Sequence, residues 1–496
     1  MRTGNTIPVA RQLDLIHSCD LSPVFDRLRM LPHCLWLDSA SDNGFDRGRY
    51  SFLTADPVAW CSADMDSPNP WPVLHEWCRK LQHLAPTYTT RSDEATAALP
   101  PFWGGIAGLL AYESAWWLEP TLRHDPKRHA DSTTPNTSIP GLAIGLYDWT
   151  IAADHQLGQA WLLSTGLSET FELDPDRANH RADQVMRWIE GENTSLAGND
   201  TKPFTGAGQT GRQAVTSNFT DESFAAGVQD IVERIHGGDS FQVNLAQTLS
   251  HPATCGSAEL YGRLRRINPA PYAGYFNAGE YQVISSSPEG FLQVRIGSEG
   301  ERTVVTRPIK GTVAKTGDET LDTRLGAELL ASEKDRAENI MIVDLMRNDL
   351  SRVCTDASVE VTKLCELERY QRVQHLVSTV RGVLDPDATV ADLLAACFPG
   401  GSITGAPKVE AMRTIAELEN RSRGPYCGSL GYVSLSGAAD FNILIRTVTQ
   451  RRTSSGASVW DFPVGGGITA RSDPKRETEE TWVKAASLLE AITSAG

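Results

Sequence analysis

The sequence predicts a fold of strands and helices mixed along one long chain, and three observations predict it. Between Leu21 and Ala153, short apolar stretches such as RYSFLTADPVAW and GGIAGLLAYESAWW are broken by Pro- and Gly-rich connections, the pattern of strands with a few helices. From Phe219 onward, segments of helical period alternate with segments of strand period. The length of 496 residues exceeds the usual ceiling for one core, which allows two or three domains or one unusually large two-layer unit.

Taken in order, the elements divide as follows. Between about residues 173 and 213 comes one charged helical stretch, then EGENTSLAGNDTKPFTGAGQTGRQ, a run of Gly, Thr, Asn and Ser without apolar periodicity. It reads as a linker, so the expected organisation is an N-terminal subdomain over 1–200, a linker over 201–218 and a catalytic domain over 219–496. DESFAAGVQDIVERIHGGD predicts a helix ending at a glycine pair, and FQVNLAQTL a strand. GAELLASEKDRAENIMIVDLMRNDL has apolar residues at helical spacing and predicts a helix around residues 327–347. GYVSL and FNILIRTV alternate like strands, and VGGGITA precedes a last helix opened by the N-cap Asp473 and Pro474.

Composition excludes several classes. With 40% apolar and 22% charged residues the chain is an ordinary folded protein, and a net charge of -16 without any Lys/Arg run makes nucleic acid an unsuitable partner. Nine scattered cysteines with no CxxC pair fit reduced thiols in a cytoplasm. The start MRTGNTIPVARQLDL lacks the apolar core of a secretory signal, and no apolar run is long enough to cross a membrane. The expectation is a soluble cytoplasmic protein.

Several residues stand out chemically. Lys310 lies between Pro308, which fixes the chain, and Gly311, which permits close approach; it is either a solvated loop charge or a rigidly presented amine. As a nucleophile it would need burial or a nearby positive charge to lower its pKa, and Arg307 and Lys315 are close in sequence. Glu289, in SSSPEGF, is either an exposed glutamate after a turn or a proton donor. Asp335 and Glu338, and again Glu477 and Glu480, are three apart on predicted helices, so each pair shares a face. Such pairs are either charged helix surfaces or a carboxylate cage for Mg²⁺. In GGSITGAPK, Pro407 suits a first helical turn, Thr404 is placed to cap that helix or to touch a ligand, and backbone amides could bind an anion. The Walker pattern fails there, because Ala406 and Pro407 follow Gly405. Arg446 sits in FNILIRTV on the face opposite Phe441, Ile443 and Ile445, suited to bidentate carboxylate recognition. Lys484 shares a stripe with Glu477 and Glu480. His375 reads by default as a core histidine.

Seven ordered motifs resemble the chorismate-utilising enzyme family: GDSFQVNLAQ, SSSPEGF, PIKGT, KDRAENIMIVDLMRND, FPGGSITGAPK, CGSLGY and GGGI. PIKGT is similar to the motif of the aminodeoxychorismate synthase branch, where anthranilate synthases usually read PIAGT. The resemblance implies an α+β fold, a large two-layer sandwich of mostly antiparallel sheets with helices outside. It implies Lys310 as the nucleophile at C2 of chorismate and Glu289 as general acid/base. It further implies Mg²⁺ held by Glu338 and Glu480 with Asp335 and Glu477 in support. Thr312, His375, Thr404, Tyr432, Arg446, Gly465, Gly466 and Lys484 fall on the substrate side.

The family also implies a glutamine amidotransferase partner or free ammonia as nitrogen source, and a product leading to 4-aminobenzoate and folate after a separate lyase removes pyruvate. Gln242 stands where isochorismate and salicylate synthases place a water-activating lysine, which disfavours that branch. Anthranilate synthase component I and a non-catalytic chorismate- or tryptophan-binding regulator are the alternatives. Leu35-Trp-Leu-Asp-Ser-Ala40 loosely resembles the family's inhibitor-site motif, so it is either a tryptophan site or a plain edge strand.

Overall fold

The computed structural model describes residues 8–14, 19–40, 48–85, 99–123, 139–191, 215–369, 373–454 and 456–494. Among these, two large antiparallel sheets face each other. The first, twelve-stranded, runs from Val9–Gln12 through Leu35–Asp38, Tyr272–Asn277 and Ser458–Ile468 to Gln242–Pro252 and Gly405–Ala406. The second, ten-stranded, runs from Ile309–Ala314 through Val373–Val383 and Ser429–Ser434 to Ala59–Ala63.

The two parts of the chain meet inside both sheets. Leu35–Asp38 pairs with Tyr272–Asn277 in one, and Gly105–Leu110 with Ser429–Ser434 in the other. Most of the predicted linker, residues 201–214, lies outside the described residues; at its end Thr216–Ser217 pairs with Leu249 and Ser250. Leu35–Asp38 also pairs with Tyr50–Thr54, so the plain edge-strand reading of this segment is corrected: it is an interior strand.

Apolar side chains from both inner faces close the space between the sheets. Phe52 of the first sheet meets Tyr432 of the second edge-on at 5.4 Å between ring centres, and Phe102 stacks on Tyr432 at 4.5 Å. Side chains as completely buried as Phe102, Phe276 and Val283 each contribute about 1.5–3 kcal/mol. A second cluster packs the helices Ser22–Leu28, Pro175–Glu190, Ser257–Ile267 and Pro474–Thr493 on the outside of the first sheet, giving helices a place outside the sandwich. All nine cysteines are free thiols, and none of the described helices is long and apolar enough to cross a membrane.

Local signals account for most boundaries. Thr220 and Ser223 form a capping box on the helix Asp221–Gly237, which ends at left-handed Gly238. Asp473 accepts from the Arg476 amide, and Pro474 opens the final helix, as the sequence predicts. Three expectations are corrected. The single helix around 327–347 is two, Glu319–Ala331 and Glu333–Ser351, because Ser332 takes an extended conformation and caps the second. FNILIRTV is not one strand: pairing stops after Asn442 and resumes at Thr447, with Arg446 at φ 50° between. Pro407 sits at the cap rather than within the helix Lys408–Glu419, and no side chain caps that helix, so Thr404 does not.

Candidate active site

Lys310 lies on Ile309–Ala314, an end strand of the second sheet's main path. Gly311, at φ 76°, is the extra residue of a β-bulge: Lys310 pairs with Leu376 and Thr312 with His375. Only glycine fits there without strain, and the bulge re-aims the lysine. Its Nζ donates to the Ser402 carbonyl at 3.3 Å, and the Ser402 hydroxyl donates to Glu289 Oε1 at 3.0 Å. The amine and the carboxylate therefore share one intervening residue. Glu289 is buried at the turn between Gln282–Ser287 and Gly290–Ile296, where Ile443 N donates to its carbonyl.

Burial pushes the Lys310 amine below the usual lysine range. Glu338, Glu289 and Glu480 oppose that shift, while Lys484 reinforces it. The positive neighbour is thus Lys484 from the last helix, not Arg307 or Lys315; Arg307 is paired with Glu368.

Acidic groups from two helices converge beside this lysine. Burial raises the Glu338 carboxyl, with Asp335 and Glu477 adding to the effect. Its buried Oε1 has no hydrogen-bond partner among the described residues, and the Lys334 ammonium is 3.9 Å away. Burial also raises Glu477, whose Oε1 accepts from Ser472. At Glu480 burial is outweighed by Lys484, 2.7 Å away, and by Lys334 and Lys310, so that carboxyl lies below its usual range.

Lys484 donates to the Gly465 carbonyl at 2.9 Å. A Cβ on Gly466 would stand 3.3 Å from the Lys484 amine and 3.5 Å from Glu477 Oε2, so the glycine strand, Lys484, Glu477 and Glu480 form one surface. Asp335 is turned toward its own helix start, accepting from the Ser332 hydroxyl. Among the described residues no three His, Cys, Asp or Glu groups already stand as a metal cluster. The donor chemistry nevertheless fits Mg²⁺, which needs only one or two carboxylates because it keeps waters and takes substrate oxygens.

The remaining candidates separate. Thr312 Oγ1 and His375 Nδ1 are 2.8 Å apart on neighbouring strands. Thr404 is fully buried and donates to the Gly400 carbonyl. Arg446 is half-buried, has the Asn268 side chain at 3.4 Å, and forms no ion pair among the described residues, so its guanidinium is available to an anion. Tyr432 is not gathered with Lys310. It lines a different cavity of about 960 Å³ between the sheets, with Leu37, Ser39, Tyr50, Tyr272 and Asp440. Lys310, Glu289, Glu338, Glu477 and Glu480 do not line this cavity. Sequence reasoning missed Ser402 and Arg423. Ser402 lay in a motif already noted, but its two contacts are made across distant segments.

A family model described as chorismate binding enzyme matches residues 33–490. Anthranilate synthase component 1 of Thermus thermophilus is 38% identical over 400 residues, 80% of this chain and 79% of that protein. Aminodeoxychorismate synthase component 1 of Salmonella typhimurium is 37% identical over 480 residues, 94% of this chain and 95% of that protein. Among solved structures, anthranilate synthase component I from Streptococcus pneumoniae superposes with a TM-score of 0.70 at 29% identity, covering 89% of this chain and 92% of that one. A menaquinone-specific isochorismate synthase from Escherichia coli shares the fold at a TM-score of 0.68 and 20% identity, covering 99% and 97%.

Proposed function

Since the chain belongs to the family of chorismate binding enzymes, we propose that it converts chorismate and ammonia to 4-amino-4-deoxychorismate, with Lys310 as covalent nucleophile. The observation that carries this reading is the Lys310 amine: it is half-buried, drawn toward its neutral form, and linked through Ser402 to Glu289. Anthranilate synthases usually carry alanine at this position, which has no nucleophile to offer.

The neutral amine attacks C2 of chorismate as the C4 hydroxyl leaves, Glu289 protonating the departing oxygen so that it departs as water. On bonding to C2 the amine passes its proton to the now ionised Glu289, which returns it to the lysine nitrogen when that bond breaks. Ammonia then adds at C4 and expels Lys310 from C2, restoring the free lysine. Arg446 receives a substrate carboxylate, and Lys484 and the glycine strand border the other end. Glu338 and Glu480 would hold Mg²⁺, with Glu477 and Asp335 in support. When bound there, Mg²⁺ neutralises carboxylate charge on the substrate.

Relatives named component 1 support a separate glutamine amidotransferase as the ammonia source, with free ammonia as the substitute. The cavity bordered by Leu37 and Ser39 is a tryptophan site in this reading. The test incubates the protein with chorismate, Mg²⁺ and ammonium and identifies products by mass spectrometry. Aminodeoxychorismate from the wild type, absent with Lys310→Ala, supports the proposal. Anthranilate from the wild type overturns it in favour of the anthranilate synthase reading, which the similarity to those enzymes also favours.

A further inference from the structure

The turn Gly401–Ile403 is packed between the helix Glu333–Ser351 and the strand Ser458–Ile468. It is held more tightly than a short turn needs. Gly401 rests against Leu345 with no room for a side chain, and the buried Arg423 guanidinium donates from Nη1 to the Ile403 carbonyl at 3.0 Å. The same guanidinium donates to the Asn244 carbonyl at 3.0 Å and makes a two-pronged pair with Glu419. Glu113 in turn accepts from the backbone amides of Arg423 and Gly424 at 2.6 and 2.9 Å. A strand, two helical segments and the loop of Arg423 thus fix the position of a three-residue turn.

What the turn presents is Ser402, and Ser402 touches both reacting side chains. Its carbonyl accepts from Lys310 Nζ and its hydroxyl donates to Glu289 Oε1. A backbone acceptor cannot swing, and a hydroxyl that donates to a carboxyl oxygen holds that oxygen at hydrogen-bond distance. Lys310 lies on the strand Ile309–Ala314 and Glu289 on the turn before Gly290–Ile296, and both side chains reach the same Ser402. Misplacement of a reacting group by about 1 Å is enough to cost on the order of a hundredfold in rate.

We propose that Ser402 is a positioning residue that sets the Lys310 amine and the Glu289 carboxyl at a fixed separation, with Arg423 anchoring the turn that carries it. The inference rests on Lys310 and Glu289 being the reacting pair, as argued above. Only the hydroxyl arm is removable by substitution, so Ser402→Ala takes away the hydroxyl's hydrogen bond to Glu289 while leaving the lysine's acceptor in place.

The experiment compares wild type, Ser402→Ala and Ser402→Thr as full chains, measuring chorismate consumption and product with Mg²⁺ and ammonium. Ser402→Ala is expected to lose about tenfold or more in kcat with KM for chorismate little changed, because substrate contacts remain and alignment is lost. Ser402→Thr, which keeps the hydroxyl, is expected to restore most of it. Wild-type kcat in Ser402→Ala, or a loss confined to KM, overturns the inference. If Ser402→Ala loses its folded circular dichroism, Ser402→Cys provides the same reading with a weaker donor of similar size. A wild type that makes a product other than aminodeoxychorismate refutes the proposed function instead, while the kcat comparison on chorismate consumption still decides the role of Ser402.

Discussion

Gly311 lies against Asp335 so closely that a Cβ on the glycine would stand 3.1 Å from the aspartate Cβ. The same atom would meet Leu329 Cδ1 at 2.7 Å, and the glycine's φ of 76° is unfavourable to any side chain. Gly311→Ala is therefore expected to lower stability by about 1–3 kcal/mol through backbone strain and overpacking. It should also lower kcat, because the bulge that aims Lys310 would shift. Urea unfolding and turnover on chorismate check the two effects, and unchanged values in both would refute the role of the bulge.

The acid limb of kcat/KM against pH is expected below the ordinary lysine value. In the proposed mechanism Lys310 attacks only as the neutral amine, and burial moves its deprotonation downward, so activity is expected to rise with pH through that lowered value. Lys484→Met removes the neighbouring positive charge that reinforces the shift. Its acid limb should move to higher pH, and a limb that stays in place or moves lower would contradict this electrostatic account.

Removal of divalent metal with EDTA is expected to abolish turnover, and added Mg²⁺ to restore it. Glu338→Gln and Glu480→Gln should each weaken Mn²⁺ binding followed by electron paramagnetic resonance, by about tenfold or more, while circular dichroism stays unchanged. Glu338→Gln keeps the shape of a carboxylate whose buried Oε1 already lacks a hydrogen-bond partner among the described residues, so it should cost little stability.

The cavity of about 960 Å³ between the sheets is expected to take one tryptophan per chain. Isothermal titration with wild type should give a saturable heat, and Ser39→Trp, which fills the cavity, should abolish it without changing the product of the reaction. Absence of heat at millimolar tryptophan would leave the cavity without this role.

Asp440, which lines that cavity and accepts from Gln293 at 2.8 Å, has its carboxyl pushed up to about 7 by burial. The folded protein therefore binds this proton more tightly than the unfolded chain. Its contribution to stability is fully present below the ordinary aspartate value and is lost as pH rises toward about 7. Asp440→Asn should flatten that decline between about pH 4 and 7 in thermal melts, and an identical pH profile would show that another group is responsible.

The sequence by itself determined the elements whose causes are local. Thr220 and Ser223 start one helix, Gly238 ends it, and Asp473 with Pro474 starts the last, because caps and fixed φ values act within one turn. It also determined which residue types occur in each motif, and hence Lys310, Glu289, Glu338 and Glu480 as candidates. Tertiary structure decided what those residues meet. A split helix at Ser332 and a strand broken at Arg446 were hidden because apolar spacing continues through both, while backbone conformation does not. Tyr432 points between the sheets, since pairing of Ser429–Ser434 with Gly105–Leu110 fixes which face each side chain takes. Lys310, Ser402, Glu289 and Lys484 converge only because strand register and helix packing join segments far apart in the chain, and such long-range pairings leave no periodic trace in any one of them.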